Sequence, residues 1–381
     1  MTSQTDAAQL AGPITQVFQY GDGTFIENLS ILLTGHLLLA ALKSPELRIL
    51  DPEAAEPMVK TVVTLPGITS LANLAPIGHG LYAVGGGEHT SFSFTKGSMK
   101  VFVVSLKASI ENPGSIEGVV LKTIPVVDTS TSMLNGMDSV PSLPHIIFSH
   151  DSIGGRLFRV DTRTEEVTVA STDASFGLAN NTAVPLGANG LRIRDGYLYF
   201  TNSALGIFAR VRLDYEGYPT GNVEKISQLD GPITMGNAYD DFTFDRKGNA
   251  YVTLHPSSIN KITPDGEQTT FAGGAVNKTF QHPTSAVLAN DGRSIYVSTG
   301  GDYTSSSSGG GQVIKHPRRD STTDHPVVRF VREAREQGVE CGLLTINGAK
   351  HIHDVALKPG TTSWETEIAP AYESVSRKLA E

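Results

Sequence analysis

Residues 194–213 read RDGYLYFTNSALGIFARVRL. A glycine turn leads into one apolar segment, and a short polar loop leads into a second. Apolar and polar residues partly alternate in LYFTN, and β-branched and aromatic residues are frequent, which is typical of strands. This stretch therefore predicts two neighbouring strands joined by a loop.

The same unit occurs six times along the 381 residues. The copies begin at Thr34, Gly78, Leu143, Arg194, Arg246 and Asn290, roughly 44 to 65 residues apart. That period fits one four-stranded propeller blade, while helical signals are weak except for VVRFVREAREQ near Val328. We predict an all-β protein, a six-bladed β-propeller that forms a single domain over residues 1–381.

The blades are expected over roughly residues 17–317, and residues 318–381 form a C-terminal extension with room for a helix and a closing strand. A propeller ring usually closes by pairing a strand from one terminus with the last blade. Two apolar segments are candidates, ITQVFQY near Val17 and IHDVAL near Val355. The sequence does not choose between them.

Composition narrows the possible partners. The formal net charge is −9, which argues against nucleic acid or an anionic membrane, because both require clustered Lys and Arg. The single Cys341 excludes an internal disulfide and a thiolate metal cluster. No apolar run reaches the roughly 18 residues of a membrane span, and the first residues lack a signal-peptide core. We expect a cytoplasmic protein whose partners are small-molecule substrates.

Each copy carries a short polar side chain near the start of the strand that precedes its hairpin. In six symmetric blades these side chains should converge at one mouth of the channel. Buried carboxylates are costly unless they are paired or bind a metal, so the set predicts a site. The alternative is that they cap strand ends and hold channel water. The six residues are Glu27, Asn73, Asn135, Asn189, Asp240 and Thr284.

Two carboxylates and several amide oxygens form a set of hard oxygen donors suited to a divalent metal such as Ca²⁺, Mg²⁺ or Mn²⁺. No motif indicates an organic cofactor. The loop after the second strand of each copy returns to the same mouth and would supply a pocket wall. Its candidates are Ser44, Glu88, His89, His150, Asp151, Asn202, His255, Asp302 and Tyr303.

The chain resembles the regucalcin, gluconolactonase and lactonase-like propeller family over roughly Phe25 to Lys315. The resemblance rests on the motifs FIENL, LNGM, NGLRIRDGYLYFTN, DDFTFDRKGNAYV and HPTSAVL with DGRSIYVSTGG. It implies that Glu27, Asn189 and Asp240 are metal ligands and that Asn135 lies near the substrate. One departure is Asp241, which stands where the family usually has Gly after the metal-binding Asp.

A more diffuse likeness is to fungal members of natural-product pathways, some of which are similar to hetero-Diels–Alderases that join a quinone methide to a terpene alkene in making tropolonic sesquiterpenoids. This likeness implies a biosynthetic enzyme of that kind. From the needs of such a reaction we expect catalytic roles for Asp240, His255, Tyr303 and Asn135. Substrate contacts would come from the other candidates, Glu88, His150, Asn202, Asn73 and Thr284. Two alternatives stay open, a metal-dependent lactonase and a non-catalytic ligand-binding propeller.

Overall fold

The computed structural model describes residues 14–90, 93–108, 116–180, 183–274, 278–302 and 309–318. These residues form 24 β-strands, here β1 to β24, and one 3₁₀ turn at Ala174–Phe176. The strands make six four-stranded antiparallel sheets arranged as the blades of a ring. The prediction of an all-β, six-bladed β-propeller is confirmed.

The blades are numbered I to VI from the N-terminal side, and each begins with the strand nearest the axis. Blade I contains β2 (Phe25–Ile31), β3 (Leu37–Leu42), β4 (Glu46–Leu50) and β5 (Val59–Thr64). Blade II contains β6 (Ser70–Pro76), β7 (Leu81–Gly87), β8 (Lys100–Ala108) and β9 (Ile116–Pro125). Blade III contains β10 (Leu134–Val140), β11 (Leu143–Asp151), β12 (Arg156–Asp161) and β13 (Val167–Ser171).

The last three blades follow the same order. Blade IV contains β14 (Ala188–Arg194), β15 (Tyr197–Asn202), β16 (Ile207–Leu213) and β17 (Pro219–Gln228). Blade V contains β18 (Tyr239–Phe244), β19 (Ala250–Leu254), β20 (Ser258–Ile262) and β21 (Gln268–Gly273). Blade VI contains β22 (Pro283–Leu288), β23 (Ser294–Thr299), β24 (Gln312–Pro317) and β1 (Thr15–Gln19).

The N-terminal strand closes the ring. β1 pairs antiparallel with β24, with Thr15 opposite Lys315 and Gln19 opposite Gln312. Of the two candidate segments, the one near Val17 therefore completes blade VI, and the one near Val355 lies outside the described residues. The described blades run from Thr15 to Pro317, and of the predicted extension only Arg318 is described.

The hydrophobic core lies between neighbouring blades. One cluster joins Leu38 and Leu47 of blade I to Leu71, Val84 and Phe102 of blade II, and similar clusters fill the other interfaces. Each sheet packs against its two neighbouring sheets with both faces. The innermost strands of the six blades therefore surround the channel axis. Among the described residues no helix has the length and apolarity needed to cross a membrane.

Each innermost strand has an irregularity in its pairing near the end from which it starts. The residues within the irregularities are Glu27, Ala72, Gly136, Asn189 with Gly190, Asp240 with Asp241, and Thr284. An extra residue in a strand redirects side chains locally, and such bulges are frequent beside active sites. The repeated irregularity thus turns polar residues toward one mouth of the channel.

The irregularities correct one expectation. The six predicted ring residues do not occupy a single equivalent position, because Asn135 lies directly before its irregularity and Asn73 directly after. Asn189, Asp240, Glu27 and Thr284 lie within theirs. An inserted residue shifts the strand by one position, and a shift of one sends a side chain to the opposite face.

Candidate functional site

Residues from blades that are not neighbours meet over the channel. Asn135 Nδ2 of blade III donates to Glu27 Oε1 of blade I at 3.3 Å, and blade II separates these two blades in the ring. Glu27 and Asn135 are both buried. The contact shows that the innermost strands bring these two predicted residues together at the axis.

Asp240 and His255 form a second pair at this mouth. His255 follows β19, which is antiparallel to β18, so it returns to the end where β18 begins. His255 Nε2 and Asp240 Oδ2 are 3.1 Å apart, and each side chain is only 13% exposed. Burial lowers the pKa of His255 to about 4, so its imidazole is neutral at neutral pH.

The two carboxylates influence each other. Burial raises the pKa of Glu27 well above its usual value, and the nearby Asp240 carboxylate raises it further. Burial and the neighbouring Asp241 raise the pKa of Asp240 in the same direction, and the Asn189 side chain counteracts part of that rise. Converging buried carboxylates favour a proton or a cation between them.

Asn189 joins the same cluster through β14. Its Nδ2 donates to Ser203 Oγ at 3.1 Å, and Ser203 Oγ donates to the backbone oxygen of Tyr239, next to Asp240. These bonds leave the buried Asn189 Oδ1 without a hydrogen-bond partner among the described residues. A buried acceptor without a donor is costly, so this oxygen is suited to meet a ligand.

Two glycines allow the inner strands of neighbouring blades to approach each other closely at the mouth. A Cβ on Gly136, whose φ is +53°, would fall well inside 3.0 Å of the Asn189 backbone oxygen. A Cβ on Gly190 would likewise fall inside 3.0 Å of Asp241 Oδ1. In each of the Asn-Gly pairs at 135–136 and 189–190, the polar residue is therefore followed directly by a position that only glycine can occupy.

The donors at the mouth fit a divalent cation. They are the carboxylates of Glu27 and Asp240 and the amide oxygen of Asn189, which has no hydrogen-bond partner in the described part of the chain. All are hard oxygen atoms of the kind that Ca²⁺ and Mg²⁺ prefer. In the part of the chain that the structure describes, no three His, Cys, Asp or Glu side chains are grouped as a metal site. A cation here would accordingly depend on the amide oxygen as well as on the carboxylates.

Several predicted residues are held in structural contacts instead. Thr284 Oγ1 donates to the Ile26 backbone oxygen and so links blade VI to blade I. Asn73 Nδ2 donates to Ser149 Oγ, and its Oδ1 has no partner among the described residues. Asn202 donates to the backbone oxygens of Ser175 and Gly177, which holds the loop before blade IV.

Other predicted wall residues lie in different surroundings. His150 is completely buried, with its ring between Phe176 and Phe200, and burial lowers its pKa to about 3. Its imidazole therefore packs as a neutral aromatic ring within the core. Glu88 is exposed at the end of β7. Tyr303 lies outside the described residues.

The structure adds residues that sequence reasoning did not select. The His282 ring lies 5.7 Å from that of His255, and its Nδ1 donates to the Gly301 backbone oxygen at 3.1 Å. Arg192 reaches Asp241 at 2.8 Å. His282 stands two residues before Thr284 in the quoted HPTSAVL motif and Arg192 within NGLRIR, but neither motif shows where its side chain points.

Comparison with solved structures agrees with this arrangement of blades. A luciferin-regenerating enzyme aligns with a TM-score of 0.54 at 16% identity, covering 81% of this chain and 96% of that one. Regucalcin from Agrobacterium tumefaciens aligns with a TM-score of 0.53 at 15% identity, covering 82% and 98%. The chain has the six-bladed propeller fold of regucalcin. Identities this low establish the fold alone.

Sequence comparison links the chain to fungal proteins. It is 30% identical over 128 residues to asR5 of Sarocladium schorii, a candidate hetero-Diels-Alderase. The matched segment covers 32% of this chain and 27% of that protein. It is also 39% identical over 52 residues to the non-reducing polyketide synthase ascC of Acremonium egyptiacum, 14% of this chain and 2% of that protein. The chain thus matches only a small part of each relative. No family model matches.

Proposed function

We propose that this regucalcin-like propeller is a biosynthetic enzyme, a hetero-Diels–Alderase that joins a quinone methide to a terpene alkene in a tropolonic sesquiterpenoid pathway. The observation that carries the proposal is the 30% identity to asR5 over 128 residues. The geometry supports it because a cycloaddition needs no nucleophile, only two partners held in register at a preorganised polar mouth.

The His255–Asp240 pair gives the chemistry a proton carrier. A hydroxymethyl phenol becomes a quinone methide when its hydroxyl leaves as water and its phenolic proton is lost. The pair would deliver one proton to the leaving hydroxyl and take back the phenolic proton, so the balance is loss of one water. A carboxylic acid and a histidine 3.1 Å apart can act together in this way.

The cycloaddition then forms two bonds at once. The quinone methide oxygen and its exocyclic carbon bond to the two alkene carbons, and no atom leaves. Hydrogen-bond donors at the mouth, such as the Asn135 amide, would stabilise negative charge that develops on the carbonyl oxygen. The apolar alkene contributes binding through burial rather than through specific polar contacts.

A metal-dependent lactonase is the second candidate. It is favoured by Asn189 Oδ1, which has no hydrogen-bond partner among the described residues and belongs to a side chain next to the Asp240 carboxylate. Glu27, Asn189 and Asp240 would hold the cation. When bound, a divalent cation polarises a carbonyl and activates water. A non-catalytic binding propeller is the third candidate, and it predicts ligand binding without turnover.

The test is a pair of assays on the full chain. Purified protein is incubated with a hydroxymethyl quinone-methide precursor plus humulene, and separately with simple lactones. We expect one stereoisomeric adduct, formed about 100-fold more slowly by Asp240→Asn and His255→Gln than by the wild type. His145→Gln, at the opposite end of the blade III strands, is the control and should keep wild-type turnover.

Two results would reject the cycloaddition proposal. One is efficient lactone opening that Asp240→Asn abolishes, together with an adduct that is racemic as in the enzyme-free reaction. The other is tight binding of both partners with no acceleration, which would favour the binding propeller. Repeating each assay after dialysis against a chelator separates metal-dependent hydrolysis from metal-independent cycloaddition.

A further inference from the structure

A second polar layer crosses the channel beside the acidic mouth. Asp241 Oδ2 accepts hydrogen bonds from Asn28 Nδ2 at 3.2 Å, Arg192 Nη2 at 2.8 Å and Ser285 Oγ at 2.5 Å. The donors come from blades I, IV and VI, and Asp241 itself belongs to blade V. The Asp241 side chain is 2% exposed. Four of the six blades therefore meet at one carboxylate.

All three donors bind the same oxygen of that carboxylate. The other oxygen, Asp241 Oδ1, is buried and has no hydrogen-bond partner among the described residues. It lies against the Cα of Gly190, the residue after Asn189, where a Cβ would not fit. Asp241 is thus anchored through one oxygen, while the other has no hydrogen-bond partner among the described residues and lies next to Asn189.

Arg192 is fixed in place by contacts other than the ion pair. Its Nη1 donates to the Leu191 backbone oxygen at 2.7 Å, and its guanidinium lies 5.7 Å from the centre of the Phe242 ring. The charge of Arg192 also offsets part of the burial that raises the pKa of Asp138 of blade III to about 6. The guanidinium is therefore held within the channel rather than in bulk solvent.

The charges of this layer reach the mouth. Asp241 follows Asp240 directly in β18, and Asn28, which binds Asp241 Oδ2, follows Glu27 directly in β2. When ionised, these three carboxylates carry three negative charges and Arg192 one positive charge. The sum for these four groups is an excess of two negative charges, to which ionised Asp138 would add a third, and a divalent cation would offset two of them. In a channel of low dielectric constant, each of these charges changes ligand affinity.

We propose that Arg192 and Asp241 form an internal ion pair that sets the net charge of the mouth and thereby its affinity for divalent cations. This inference rests on the cation site proposed above at Glu27, Asn189 and Asp240, which the lactonase alternative would use. Arg192 acts through Asp241 as a positioning residue and does not touch the ligand. Removing either partner alone leaves one uncompensated charge beside the site, whereas removing both restores the balance.

The test is a double-mutant cycle with Ca²⁺ alone as the probe, measured by titration calorimetry on the full chain. We expect Arg192→Met to bind Ca²⁺ about tenfold more tightly and Asp241→Asn about tenfold more weakly. The double variant should return to within about twofold of the wild type, because its net charge is unchanged. Arg192→Lys keeps the charge without the planar fork and should remain close to the wild type.

The controls separate charge from structure. Arg210→Met and Glu224→Gln disrupt an exposed ion pair of blade IV and change the net charge of the protein by the same amounts. Because exposed charges are screened by salt, their Ca²⁺ affinity should stay within about twofold of the wild type. Thermal unfolding shows whether each variant is folded. If Arg192→Met does not fold, the two single variants Arg192→Lys and Asp241→Asn still test whether charge sets the Ca²⁺ affinity.

Three results would overturn the inference. Equal affinities of the wild type, Arg192→Met and Asp241→Asn would show that the pair does not act on the site. An affinity of Arg192→Lys as altered as that of Arg192→Met would indicate a role in shape rather than charge. No Ca²⁺ binding by the wild type at millimolar concentration would remove this inference and the cation site together. Adduct formation in chelator would still support the cycloaddition.

Discussion

Single positions within the inner strands determine what the mouth contains. Glu27, Asn189 and Asp240 are aimed at the channel by local irregularities in pairing rather than by regular strand alternation. Gly136 adopts φ +53° and approaches the Asn189 backbone too closely for any side chain. At this scale a backbone feature, and not only the polar side chain, defines the candidate site.

Gly136→Ala tests that feature. The added methyl group would meet the Asn189 backbone oxygen and the residue would be strained at positive φ, so the free energy of unfolding should fall by about 3 kcal/mol. Urea denaturation gives the measurement. The control is Gly196→Ala, at φ +77° with no atom near its Cβ position, which should lose only about 1 kcal/mol. Equal losses for the two variants would mean that the close approach is absent in solution.

Among the strands, β1 is the one that closes the ring, because it pairs the N-terminal side of the described chain with the last blade. It pairs with β24, and Gln312 Nε2 donates to Gln16 Oε1 at 2.6 Å. Phe18 packs edge-on against Tyr20, with ring centres 4.9 Å apart, and both contact the core cluster shared by blades I and VI. This one strand therefore supplies both the hydrogen bonds and part of the core that close the propeller.

Phe18→Ala should lower the free energy of unfolding by about 2 kcal/mol, less than for a fully buried phenylalanine because Phe18 is only partly buried. The measurement is again equilibrium denaturation. Ile14→Ala, at an exposed residue just before β1, should change stability by about 0.5 kcal/mol or less. If both variants matched the wild type, β1 would not pair with β24 in solution.

The molecule as a whole is held together by contacts that span blades as well as by the core between them. Where β24 ends, Arg318 Nη2 pairs with Asp245 Oδ2 of blade V at 2.6 Å, and Nη1 donates to the Gly292 backbone oxygen of blade VI. The side chains of Arg318 and Asp245 are 6% and 1% exposed. The chain thus fastens its last two blades at the end opposite the acidic mouth.

Arg318→Met should lower the free energy of unfolding by about 3 kcal/mol, because a buried carboxylate loses the charge that compensates it. The Ca²⁺ affinity and adduct formation should be unaffected, since the substitution lies at the far end of the channel. Arg212→Met, at an exposed position of blade IV, should change stability by about 0.5 kcal/mol or less. If Arg318→Met lost stability only when Ca²⁺ is bound, the assignment of Arg318 to a structural role away from the mouth would be wrong.

The sequence by itself determined the blades, because strand alternation, glycine turns and the spacing of repeats are local properties that each hairpin carries within about 20 residues. It also predicted that Glu27, Asn135, Asn189 and Asp240 would converge, and the structure brings Glu27 to Asn135 and Asp240 to His255. The convergence was predictable because each repeat places a polar residue near the start of its inner strand, and in a closed ring these strand starts lie at one mouth.

Only the tertiary structure decided which polar residues touch. Asn28 and Asp241 are 213 positions apart, and Glu27 and Asn135 are 108 apart. Their contacts depend on how six blades close around one axis and on a one-residue irregularity in each inner strand, which reverses the side on which a side chain lies. Neither property is encoded in the residues flanking Arg192 or Asp241, so the ion pair beside the mouth emerges only once the ring is closed.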